Sequence, residues 1–178
     1  PGTVMVKRTS ATEDWLVYHR STGNEAGTGL NETAATYTGE SVYWNSTTPT
    51  DSVFTVGTHD RVNTSGQTYV AYLFAHNDGD GEFGPDGDAD IIKCGSYTGT
   101  GESPNGPEID LGFEPQWIMI KAASRTGDWY LADVMRDASE TGYAFLRPNS
   151  YGSESNITNP YITARSTGFI IQQNSTAL

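Results

Sequence analysis

Cysteine is almost missing from this chain. Cys94 stands alone, so no disulfide can close within the chain, and a cysteine-based metal site lacks its ligands. Cations are scarce as well: 10 Lys and Arg stand against 22 Asp and Glu, a net charge of −12. No basic run of the kind that neutralises phosphates is present, so neither nucleic acid nor an anionic membrane surface is an expected partner. No stretch approaches the roughly 20 apolar residues that span a bilayer, so membrane insertion is not expected, and the N-terminus lacks a signal-peptide pattern. Good surface-helix formers are few, and no helical stripe of about ten residues appears.

Turn formers and aromatics are plentiful: 20 Gly, 8 Pro, 10 Tyr, 6 Phe and 4 Trp, among many Ser, Thr and Asn. Aromatic and β-branched residues favour strands, Gly, Pro and Asn favour tight turns, and so many aromatics argue against disorder. The expected fold class is all-β, an antiparallel β-sandwich or jelly roll.

The chain repeats itself. Residues 1–17 (PGTVMVKRTSATEDWLV) align without gaps on residues 115–131 (PQWIMIKAASRTGDWYL). Pro1/Pro115, Met5/Met119, Lys7/Lys121, Ser10/Ser124, Thr12/Thr126, Asp14/Asp128 and Trp15/Trp129 are identical, where chance supplies about one match. Further on, Leu30 falls opposite Leu146, and Phe54 opposite Phe169. Residues 1–113 therefore read as a first β-rich unit and 114–178 as a second, incomplete one. The second copy reaches no equivalent of Thr68–His76 (TYVAYLFAH). Together with a start at Pro1 in place of Met, this suggests a processed or partial chain, completed by residues elsewhere or by another chain. The alternative is that the two copies are the halves of one sandwich.

Apolar runs between turn signals predict strands over 3–9, 14–19, 41–45, 52–57, 67–76, 90–97, 108–112, 116–123, 128–134, 142–147, 160–164 and 168–173. Thr68–Phe74 is apolar on both alternating faces, which predicts a central strand covered on both sides.

Chemistry-bearing patterns are few. The segment from His76 to Asp90, HNDGDGEFGPDGDAD, sets Asp78, Asp80, Glu82, Asp86, Asp88 and Asp90 among glycines. Hard oxygen ligands on a pliable backbone suit Ca²⁺, although Phe83 and Ile91 stand where an EF-hand loop needs glycine. A calcium loop and a solvated acidic hairpin are the two readings, and no other cofactor is expected. A glycosidase acid/base pair there would lack the apolar pocket that raises the acid's pKa. His19, His59 and His76 lack metal-ligand spacing, no serine sits in a Gly-x-Ser-x-Gly elbow, and Gly99–Gly106 lacks the lysine of a phosphate loop. No catalytic residue is therefore expected.

The repeated Lys7/Lys121 and Asp14–Trp15/Asp128–Trp129 fit either packing, with Trp in each unit's core and Asp opening its strand, or a duplicated ligand cradle. Trp44 and Trp117 lie outside that pairing. With Tyr43, Tyr97, Tyr151 and Tyr161, they are the candidates for exposed platforms that bind sugar faces or protein neighbours. Five Asn-x-Ser/Thr sequons, at Asn31, Asn45, Asn63, Asn156 and Asn174, read as the Asn and Thr of β-rich turns.

The series VMVKRTSATEDWLVYH, FTVGTHDRVNTSGQTYVAYLFAH, IIKCGSYTGTG and IDLGFEPQWIMIKAASRTGDWYLADVMR resembles repeat modules in structural proteins of marine and cyanobacterial tailed bacteriophages. The resemblance spans nearly the whole chain and implies concanavalin-like β-sandwich modules. It implies a non-enzymatic virion surface protein made in the bacterial cytoplasm: a tail-fibre or other fibre module contributing to attachment to host-surface glycans. The partners implied are other virion proteins and further copies of the chain, as a homo-oligomer such as a trimer. Capsid decoration, or a purely structural fibre shaft, is the alternative. Polysaccharide depolymerisation is the third reading.

Overall fold

The computed structural model describes residues 1–77, 83–136, 143–157 and 161–172. Every ladder between its strands is antiparallel, as expected of an all-β chain. The chain forms two compact units: Pro1–Asp78 with Ile92–Gly95 and Ala123–Thr126, and Gly79–Ile91 with Ser96–Ala122 and Gly127–Leu178.

The first unit is built on β1 (Thr3–Arg8), β2 (Leu16–His19), β3 (Ala26–Gly29), β4 (Tyr37–Thr38) and β5 (Tyr69–Phe74), in the sheet order β4-β3-β2-β1-β5. Two single-turn helices, α1 (Ser41–Trp44) and α2 (Asp60–Asn63), lie between β4 and β5 in the chain. Strand alternation sends Val4 and Val6 of β1 and Leu16 and Tyr18 of β2 to one face. There they form a buried cluster with Tyr43, Trp44 and Val62, against which Phe54 and Val56 pack.

Residues 41–45, expected as a strand, instead form α1, which ends at Asn45 in the left-handed region, φ 53°. The reason is that Tyr43 and Trp44 are adjacent and both buried, whereas a strand would send neighbours to opposite faces. Residues 52–57 and 90–97 form no ladder among the described residues, although Phe54 and Val56 still alternate into the cluster. β3, by contrast, was not expected. Its AGTG sequence has little strand propensity, and its glycines answer to crowding: a Cβ on Gly27 would stand 2.9 Å from Leu16 Cδ1 and 3.1 Å from Tyr43 Cδ2. β5, expected as a doubly covered central strand, is an edge strand among those described, with Tyr72 and Leu73 each 52% exposed. Tyr69 and Ala71 of its apolar run pack against the cluster, while Val70 and Phe74 on the other face are half-buried.

The second unit holds β6 (Glu108–Asp110), β7 (Trp117–Lys121), β8 (Trp129–Asp133), β9 (Tyr143–Leu146), β10 (Ser155–Ile157), β11 (Ile162–Arg165) and β12 (Gly168–Ile171). They make a four-stranded sheet, β10-β9-β8-β7, and a three-stranded sheet, β11-β12-β6. Ile118, Ile120 and Ala132 of the first sheet pack with Ile162, Phe169 and Ile171 of the second, which makes this unit a sandwich. The sequence repeat placed the join after residue 113, but β6 pairs with β12 and so belongs to the second unit.

The repeat is visible in the strand registers. β1 pairs β2 with Met5 opposite Val17, and β7 pairs β8 with Met119 opposite Leu131, both residues displaced by 114. β2 sets Val17 opposite Thr28, and β8 sets Leu131 opposite Leu146, so the displacement becomes 118 from β3 onward. β3 sets Gly27 opposite Tyr37, and β9 sets Phe145 opposite Ser155, again 118. The meander β4-β3-β2-β1 is thus rebuilt as β10-β9-β8-β7. Leu146 stands in the place of Thr28 and not of Leu30, because the chain from Leu131 to its partner Leu146 is four residues longer than that from Val17 to its partner Thr28. β1 also carries β5 on its outer side, whereas β7 has a ladder on one side only among the described strands.

Candidate functional site

The expected aromatic platforms divide. Trp44 is 1% exposed, donates its indole Nε1–H to Ala26 O at 2.8 Å and meets Tyr18 edge-on at 5.7 Å. Tyr43 is 6% exposed, with its ring 4.9 Å from that of His59. Both are core residues and offer no face to a ligand. Tyr97 is half-buried and edge-on to Phe169 at 6.5 Å, and Tyr161 packs between Tyr130 and Phe145. Trp117 at the start of β7 is 47% exposed, and Tyr151 is fully exposed. Of the expected platforms, Trp117 and Tyr151 are the exposed pair.

Asp78, Asp80 and Glu82 of the acidic segment lie outside the described residues. Asp86 and Asp88 are exposed on a tight hairpin closed by Phe83 and Ala89, and Asp90 is half-buried. Among the described residues, no group of three or more His, Cys, Asp or Glu stands close enough to hold a metal ion. Each histidine ring accepts a backbone N–H at Nδ1: His19 from Ser21, His59 from Arg61 at the start of α2, and His76 from Cys94.

The repeated Asp–Trp pair has a definite structural role, which depends on an asparagine that the alignment did not pair. Asn31 Oδ1 accepts the Trp15 N–H at 3.0 Å while its Nδ2 donates to Asp14 Oδ1 at 2.8 Å. Asn149, displaced by 118, does the same for Trp129 N–H and Asp128 Oδ1, both at 2.8 Å. A guanidinium closes each clamp from a different element. Arg61 of α2 reaches Asp14 Oδ2 at 2.7 Å, and Arg147 after β9 reaches Asp128 Oδ2 at 3.1 Å. Arg61 also bonds Glu32 at 2.9 Å, and Glu32 accepts the Tyr37 hydroxyl at 2.7 Å. The Asn31 hydrogen bond holds the Asp14 carboxyl below its ordinary range, against burial, with Arg61 assisting. Burial opposes the charge on Arg61, but hydrogen bonds with Tyr37 and Glu32 outweigh it and raise its pKa. These carboxylates are committed to guanidinium and amide partners, so the cluster fixes the head of β2 and carries no free acid or base.

The clamp aims a tryptophan. Trp15 precedes Leu16, whose side chain enters the cluster, so the indole falls on the opposite face of the sheet. There it meets Tyr72 of β5, with ring centroids 6.0 Å apart and planes inclined by 32°. Trp15 is half-buried and Tyr72 is 52% exposed. Trp129 lies on the corresponding face of its own sheet but is only 6% exposed. The repeated clamp thus presents a half-exposed aromatic pair in the first copy, where Tyr72 of β5 meets Trp15.

Lys7 belongs to the same face, and its Nζ donates to Glu13 O at 2.7 Å and Arg8 O at 3.0 Å. At the far end, Thr9 Oγ1 and Thr68 Oγ1 are 2.8 Å apart, and Ser10 Oγ donates to Gln67 Oε1 at 2.6 Å. The hydroxyls of Thr9 and Thr68 are exposed. These residues lie along one side of the sheet, aromatic at one end and hydroxylic at the other, with Met5 between them buried. The pairing could not be read from sequence, since it depends on the register of two strands separated by 60 residues in the chain.

The sequence matches a domain of unknown function, DUF7483, over residues 1–178. The chain belongs to the DUF7483 family. No curated protein and no solved structure matches it. The DUF7483 match runs across both units, so the doubled meander is internal to one family domain.

Proposed function

We propose that this chain is a non-enzymatic surface module of a tailed-bacteriophage virion, in a tail fibre or other fibre, which contributes to attachment by holding a host-surface glycan. The virion assignment draws on the motif series and the acidic, disulfide-free composition. Other virion proteins and further copies of the chain are its partners in that setting. The observation that carries the attachment role is the pair of Trp15 and Tyr72, the second 52% exposed, on a sheet face whose opposite side is filled by the cluster. Aromatic rings on rigid strands bind a flat ligand face with little loss of side-chain freedom.

Binding of the purified chain to host cells and to a glycan array tests this. Wild type binds, and Tyr72→Ala loses the signal while its unfolding curve stays within a few tenths of a kcal/mol of wild type. Equal binding by the variant would remove the role of this face. Trp117, 47% exposed at the head of β7, favours a second contact, to a neighbouring virion protein. Trp117→Ala is then expected to impair assembly and leave glycan binding intact.

A further inference from the structure

We propose that the Trp15–Tyr72 face selects an uncharged glycan and rejects acidic polysaccharides. This rests on the attachment reading and names its ligand class. The face is set by register. Met5 lies opposite Tyr72 and Lys7 opposite Val70, while Thr9 N–H donates to Thr68 O, so Tyr72, Val70 and Thr68 line one side of the sheet with Met5, Lys7 and Thr9. From Tyr72 to Thr68 the row extends about 13 Å. The ring end matches the C–H face of a pyranose. The exposed Thr9 and Thr68 hydroxyls bond each other, and Thr9 also donates to Thr68 O; the acceptor lone pairs that they keep match the hydroxyls of the adjoining sugar.

Charge decides the class. An acidic glycan needs cations that are free to meet it. The Lys7 ammonium on this face is held by the carbonyls of Glu13 and Arg8. Arg8 is bound to Thr64 and Thr12 and pairs with Glu13 at 3.4 Å, and Arg61 is bound to Asp14 and Glu32. The chain's net charge of −12 repels polyanions further. A cationic guest is disfavoured in turn, because the Lys7 ammonium shares the face on which cation–π contact would form. A neutral sugar meets neither penalty.

The test titrates the whole chain with neutral oligosaccharides (glucan, mannan, galactan and chitin fragments) and with uronate and sulfated ones, at low and high salt. At least one neutral series is expected to bind, with an affinity that salt leaves unchanged. Tyr72→Ala should weaken it about tenfold, and the paired Thr9→Val and Thr68→Val changes should weaken it several-fold while preserving the strands. Acidic oligosaccharides should not bind. Salt-sensitive binding of an acidic series that Tyr72→Ala abolishes would overturn the ligand class and leave the attachment role standing. Binding to neither series would overturn both.

Discussion

Removing the two clamp asparagines measures what the duplicated Asp–Asn–Trp arrangement contributes. Each asparagine makes one neutral bond to a tryptophan N–H and one bond to a carboxylate. Bonds of these kinds contribute about 0.5–1.5 and about 1.5–3 kcal/mol. The aspartates keep 35% and 33% of their side chains exposed, so water replaces part of the lost bond at either site. The difference lies at the tryptophan, half-buried for Trp15 and 6% exposed for Trp129. Asn31→Ala is therefore expected to cost about 1 kcal/mol and Asn149→Ala about 2 kcal/mol. A kcal/mol corresponds to about 2–4 °C of Tm in a chain of this size. Because the two sites share no partner, the double variant should show the sum. Asn31→Asp should be worse than Asn31→Ala at neutral pH, since it sets a second carboxylate against Asp14, and should recover in acid as one of them takes a proton. Urea and thermal unfolding of the four variants provide the assay. Unfolding within 0.3 kcal/mol of wild type for both alanine variants would refute the clamp. So would an Asn31→Asp variant as stable as wild type.

Three further outcomes follow from the packing. Trp44→Ala should lose about 3–5 kcal/mol in denaturant unfolding; Trp44→Phe should lose less, chiefly because Ala26 O is left without its indole donor. Gly168→Ala should destabilise the second unit, because its Cβ would collide with the Ile109 carbonyl oxygen across the β12–β6 ladder, whereas Gly152→Ala, which meets only the Ser150 hydroxyl, should be near neutral in the same assay. His19 is held neutral chiefly by burial, with Arg20 assisting, so its folded-state pKa is lowered. The unfolded chain then binds the extra proton, and stability should fall as pH drops below about 6.5. His19→Gln should flatten that slope when unfolding free energy is followed from neutral to mildly acidic pH.

The repeat was legible where register was retained. Residues 1–17 and 115–131 fold into hairpins with identical pairing, and their matches are the residues that hairpin uses. It blurred where the connection between β8 and β9 lengthened. Leu30 was set opposite Leu146, and the match of Asn31 to Asn149 was hidden. β3 left no strand signal, because close packing selected glycines where propensity would have chosen branched side chains. Tyr43 and Trp44 looked like surface aromatics because Trp44 lies outside the pairing of Trp15 with Trp129. One helical turn buries both. The pairing of Trp15 with Tyr72 needed the long-range β1–β5 ladder, which no local pattern encodes.

The four tryptophans allow the attachment claim to be read directly. Their indole N–H resonances, assigned by substitution, can be followed during titration with the neutral oligosaccharide that binds. The Trp15 signal is predicted to move in step with binding, while buried Trp44, which donates to Ala26 O, stays fixed. Saturation of the Trp117 signal with Trp15 unmoved would contradict the assignment of the sugar to the β1–β5 face.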